Sequence, residues 1–127
     1  MNEISIPTTS ELSRTISPGQ HAVLDYGVAS TYFSLGFTLR GRHRAASALA
    51  FLNGAMVLGM SLITDYPGGV VRKLSFRGHR TGDIIQAGLA GLGPVLLGFA
   101  GDPEARYFYG QALSEVGVIA ATDWDAA

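Results

Sequence analysis

Four stretches of this chain lack the polar stripe that a helix on a soluble core turns to water. They run from about 21 to 39, 45 to 64, 84 to 101 and 107 to 122. The second (AASALAFLNGAMVLGMSLIT) has twenty residues and no charge. The third (IIQAGLAGLGPVLLGFAG) has eighteen and none, with Pro94 marking an expected kink. The first carries one acid, Asp25, and the fourth carries one, Glu115. A bilayer core takes about 20 mostly apolar residues at a rise of about 1.5 Å each. Segments two and three meet that length outright; one and four meet it marginally. The pattern predicts an all-α fold, a four-transmembrane-helix bundle.

The connections fit that count. RGRHR (40 to 44) and GDPEAR (101 to 106) are short polar turns, and the middle loop, 65 to 83, is longer and basic. Tyr26, Tyr66, Tyr107, Tyr109 and Trp124 fall near segment ends, where amphipathic rings favour the membrane–water interface. Residues 1 to 19 are polar, with breakers at Pro7 and Pro18. They read as an N-terminal tail ahead of a membrane domain over 20 to 127. No basic start leads into an apolar run, so the tail is not a signal peptide.

Composition sharpens the contrast with a soluble bundle. Charged residues are 15% of the chain, against about 25% in soluble domains, with 17 glycines and a mean hydropathy of +0.25. Glycine weakens helices in water but lets membrane helices approach closely. A net charge of −1 argues against a nucleic-acid partner. The absence of cysteine removes disulfides, thiol catalysis and cysteine metal sites.

Shifting the chain by 58 residues against itself exposes a repeat. His21 falls on His79, Asp25 on Asp83, Thr64 on Thr122 and Asp65 on Asp123. Ala29, Leu39 and Gly59 also coincide with Ala87, Leu97 and Gly117, and Asn53 and Tyr66 align with Gln111 and Trp124. Each half, 21 to 69 and 79 to 127, opens with His-x-x-x-Asp and closes with Thr-Asp-aromatic. Self-similarity at a fixed spacing marks one supersecondary unit used twice. Here the unit is a helical hairpin. Two crossings restore the starting side, so the repeats are parallel, related by an axis along the membrane normal. His21, Asp25, Asp65, His79, Asp83 and Asp123 should gather at one rim.

The segments HAVLDY, SLITDYPGGVVRKLSFRGHRTGD and GLGPVLLGF resemble small bacterial four-helix inner-membrane proteins of the SPW-repeat type. The likeness spans about 20 to 125. Gly93-Pro94-Val95 stands where that family carries Ser-Pro-Trp, and the first repeat has Leu35-Gly36-Phe37. The resemblance implies a bacterial inner-membrane location and no established biochemical activity.

Two readings of the polar cluster stand side by side. His-x-x-x-Asp puts both side chains on one helix face, one turn apart. In the structural reading Asp fixes the His tautomer, and Asp65 and Asp123 cap the N-termini of neighbouring helices. In the functional reading imidazole and carboxylate hold a divalent metal or carry protons. Glu115 lies mid-segment with Val57 at the matching position, which makes it either a functional candidate with Asn53 or Gln86 as partner, or a protonated acid hydrogen-bonded within the bundle or facing a partner subunit. The glycines around Pro94 serve packing, since no strand precedes them to make a phosphate loop. His43 reads as a solvated turn residue.

Lys and Arg number five on the rim side (Arg14, Arg72, Lys73, Arg77, Arg80) and four opposite (Arg40, Arg42, Arg44, Arg106). That balance leans to both termini in the cytoplasm. With short loops the chain has little surface for chemistry. The expected function is therefore a non-enzymatic scaffold or self-assembling subunit, with the bilayer and other membrane subunits as partners and no cofactor. The alternatives are an oligomeric solute or ion carrier using Glu115 and the rim cluster, and a metal-dependent membrane enzyme.

Overall fold

The computed structural model describes residues 15–126. Its elements are α1 (Pro18–Leu39), α2 (Arg44–Ile63), α3 (Phe76–Leu96) and α4 (Ala105–Ala121). Among the described residues, extended pairing is confined to two isolated bridges. The all-α, four-helix expectation holds. By length and hydropathy alone, α2 is the one described helix that qualifies as a candidate membrane span. At about 1.5 Å per residue, the 22, 20, 21 and 17 residues of the helices give rods of about 26 to 33 Å.

Two boundaries differ from the hydropathy pattern. The expected tail, 1 to 19, lies outside the described residues as far as 14, but its end is structured. Ser17 caps α1 in a reciprocal box with Gln20, and Pro18 takes the first helical turn, where its missing N–H costs nothing. The middle loop is likewise shorter than expected. Helix α3 begins at Phe76 rather than near 84, because Ser75 accepts the Gly78 N–H and nucleates the turn carrying His79 and Asp83. Ser17 and Ser75 are themselves 58 residues apart. Helix α3 ends soon after Pro94, and the chain reverses at Gly98, where φ is +78°. Only glycine adopts that angle without strain.

Sequential helices pack as hairpins. α1 lies along α2 and α3 along α4, with α2 against α3 joining the pairs. Small residues set the spacing. A Cβ on Gly93 would sit 2.5 Å from the Leu49 side chain, so α3 can meet α2 there only without one. Tyr32, Leu49, Phe99 and Phe108 fill the core at the end away from the rim.

At the rim, the duplicated segments bind each other crosswise. Ile16 and Thr122 form one parallel bridge, and Leu74 and Thr64 form the other. The bonds match one for one. The Ile16 and Leu74 amides donate to the Ala121 and Ile63 carbonyls, while the Asp123 and Asp65 amides donate to the Ile16 and Leu74 carbonyls. Each residue of one bridge lies 58 positions from its counterpart in the other. The strand entering each hairpin is thus tied to the exit of the other hairpin. Both ties brace the ends of the helices that carry the His-x-x-x-Asp pairs.

Candidate metal centre

His21 and Asp25 lie one turn apart in the first turns of α1, as His79 and Asp83 do in α3, and all four are buried. The capped starts of α1 and α3 bring the two pairs face to face. His21 Nε2 lies 3.3 Å from Asp25 Oδ1 and 3.0 Å from Asp83 Oδ2. His79 Nε2 lies 3.0 Å from Asp25 Oδ2 and 3.1 Å from Asp83 Oδ1. The two ring nitrogens thus each lie close to both carboxylates, and one ligand atom from each of the four residues lies within 4.8 Å of the others.

The far ring nitrogens show how the histidines are held. His79 Nδ1 is 2.7 Å from Thr64 Oγ1, and His21 Nδ1 is 2.9 Å from Thr122 Oγ1. Each threonine spends its one proton on the carbonyl four residues back, Met60 or Val118. A hydroxyl so engaged can only accept, so both Nδ1 atoms carry hydrogen. Both Nε2 atoms then face the carboxylates as lone pairs or as imidazolium N–H groups. Of the four close contacts, only His21 Nε2 to Asp83 Oδ2 has hydrogen-bond geometry. His79 Nε2 is fully buried with no hydrogen-bond partner among the described residues. It lies near both carboxylates, 3.0 Å from Asp25 Oδ2 and 3.1 Å from Asp83 Oδ1, outside hydrogen-bond geometry with either.

Aromatic rings close the rim end. Trp124 packs 5.0 Å from His21 and Tyr66 5.3 Å from His79, while Phe76 lies against both rings and both histidines. Tyr66 and Trp124, aligned by the repeat, are thus walls of the site as well as rim aromatics. Tyr66 Oη donates to Asp25 Oδ2 at 2.8 Å. Burial, and then the neighbouring Asp25 carboxylate, pushes the Tyr66 phenol above its ordinary range, so it stays a donor.

The expected cluster of six narrows to four. Asp65 is exposed and Asp123 half-buried, and neither caps a neighbouring helix. Asp123 Oδ1 accepts its own chain's Asp125 amide. The caps are Ser17 and Ser75, whose short side chains already sit at the helix starts. Thr64-Asp65 and Thr122-Asp123 do staple the hairpins, but through the threonine hydroxyls and the backbone. His43 is not simply solvated. Its Nδ1 accepts the Ala46 N–H to cap α2, which leaves the hydrogen on Nε2 to donate to Asp102 at 2.8 Å.

Glu115 is buried and takes a partner that the sequence did not single out. Tyr32 Oη donates to Glu115 Oε1 at 3.1 Å. Gln86 Nε2 donates to Asn53 Oδ1 at 2.7 Å and reaches Tyr32 Oη at 3.4 Å. Tyr32 lies seven residues beyond Asp25 on α1, two turns on and on the same face. That spacing was the available signal.

No family model matches the chain, and neither a curated protein nor a solved structure does.

Proposed function

We propose that this chain is a four-span protein of a bacterial inner membrane whose two halves jointly hold one divalent metal ion between His21, Asp25, His79 and Asp83. The observation that carries the metal reading is the fully buried Nε2 of His79, which makes no hydrogen bond among the described residues yet lies 3.0 and 3.1 Å from oxygens of two carboxylates, while its Nδ1 is held as a donor. Two neutral imidazoles, two carboxylates and a divalent ion sum to zero charge, so the buried cluster needs no further counter-charge. Imidazole with carboxylate and no thiolate suits zinc, manganese or iron. The Thr64 and Thr122 hydroxyls orient the rings as outer-shell acceptors do in metal sites generally.

The membrane reading is supported by what the bundle turns outward. Val23 and Leu96 are each 73% exposed and Leu113 is 74%, with Phe37, Leu52 and Ile85 also exposed. Every helix carries such residues, so the apolar exterior surrounds the bundle, as lipid requires and water penalises. The polar cluster then lies at one membrane rim, together with the described chain ends near Ile16 and Thr122.

The experiment joins both parts. Membranes from an expressing bacterium are extracted with carbonate and then with detergent. The protein is stripped of metal, re-equilibrated with Zn2+ and analysed for bound zinc. The expected result is release only by detergent and one zinc per chain, lost in the His21→Ala/His79→Ala double variant. Protein in the aqueous fraction would overturn the membrane reading, and zinc retained by the variant would overturn the metal reading.

A second reading, self-assembly, is favoured by Gly27, Gly59, Gly88, Gly110 and Gly117, whose Cβ positions point into open space on the helix exteriors. Bare glycine faces let helices of another subunit approach closely. Native mass spectrometry in detergent tests it, and a monomer at all concentrations would remove it.

A further inference from the structure

The repeat explains the His/Asp square but not the layer beneath it. Tyr32, Asn53, Gln86 and Glu115 come one from each helix, and their counterparts 58 residues away are Ala90, Gln111, Val28 and Val57. Three of the four positions have lost or gained a polar group relative to the other half. Duplication alone therefore does not account for this network, which sits wholly inside the bundle.

The network is also incomplete. Glu115 is 8% exposed, and its Oε2 has no hydrogen-bond partner among the described residues. A cavity of about 70 Å3 adjoins that carboxylate. His21, Asp25 and Asp83 line it towards the rim, Gln86 and Glu115 line it within the bundle, and Val118 of α4 forms part of its wall. His79 is not among its lining residues. A buried water needs roughly 10–15 Å3 of such space and two to four polar partners. This cavity offers room for several waters and polar groups at both ends.

Metal sites that only hold a fold are closed by their protein ligands, whereas sites that exchange ligands keep a position open. We propose that the centre is open on the side facing Glu115, and that the cavity delivers water, positioned by the Glu115 carboxylate, to the ion's remaining coordination positions. This inference rests on the metal reading above. It makes the centre one that takes a small oxygen-donor ligand through the cavity between α1 and α4, which exposed Leu24 and Ser114 also line, with Glu115 as a positioning residue and Gln86 and Tyr32 holding that residue in place.

The test uses the full-length protein in detergent, stripped and loaded with Co2+, whose electron paramagnetic resonance lines broaden when water carrying the magnetic oxygen isotope coordinates the ion. The wild-type spectrum should broaden in labelled water. Val118→Phe, which fills the cavity from its wall, and Glu115→Leu, which removes the carboxylate, should each keep one Co2+ per chain and lose the broadening. Bound Co2+ with no broadening in the wild type overturns the open-sided centre and leaves the metal reading standing. Broadening that persists in both variants overturns the cavity route. Failure of the wild type to retain Co2+ overturns the metal reading and this inference with it.

Discussion

Replacing His79 with alanine is expected to abolish high-affinity metal binding and to destabilise the metal-free protein together. The ring is fully buried, and two carboxylates face its Nε2 at 3.0 and 3.1 Å. Removing it deletes one ligand and leaves Asp25 and Asp83 facing each other with only His21 between them. Breaking a buried ion pair by deleting one partner costs about 3–5 kcal/mol. The metal-free variant should therefore unfold at clearly lower temperature than the metal-free wild type. Added Zn2+ separates the two effects. A ligand present at about 100 times its dissociation constant stabilises a protein by about 2.7 kcal/mol. Thermal unfolding in detergent should show that gain in the wild type and none in the variant. A zinc-dependent rise of equal size in both would show that the ion binds elsewhere.

Thr64→Val should weaken metal affinity by about 10- to 100-fold while leaving all four ligands in place, which is the usual effect of deleting an outer-shell partner. Valine matches the shape of threonine but offers no oxygen to the Nδ1–H of His79, 2.7 Å away. A buried donor left without a partner costs about 1–3 kcal/mol, and the ring loses the contact that sets its tautomer. The crosswise rim makes the prediction specific. Thr64 belongs to the first hairpin but holds the histidine of the second, and Thr122 holds that of the first. Thr122→Val should thus cost about as much as Thr64→Val. Competition titration against a chromophoric chelator measures both, and an unchanged affinity in either variant would deny the hydroxyls their orienting role.

Much of this was visible in the sequence because the repeat carries it. The 58-residue spacing placed His21 with His79 and Asp25 with Asp83, and the helical period put each pair on one face. Asp65 and Asp123 share the same spacing yet stay out of the centre. Duplication copies every residue of a unit, and only register across the two hairpins tells a ligand from a neighbour. Thr64 and Thr122 are matched positions in the repeat, but their contacts run to the opposite half, a fact that local spacing cannot express. Ser17 and Ser75 lie just outside the repeat as bounded at His21 and His79, so the repeat alone points to the aspartates as caps. Hydropathy also placed the start of α3 too late, since Phe76 to Asp83 is polar on the face that builds the site. Glu115 stood out as an acid in an apolar segment, whereas Tyr32 gained meaning only once α1 and α4 met within the bundle.

The centre itself is tested most directly by X-ray absorption at the zinc edge on the detergent-purified, Zn2+-loaded protein. A first shell of nitrogen and oxygen at about 2.0–2.2 Å, with outer-shell scattering equivalent to two imidazoles that is lost in the His21→Ala/His79→Ala variant, is the predicted result. A first shell without imidazole scattering, or a spectrum identical in wild type and variant, would contradict the joint His/Asp centre.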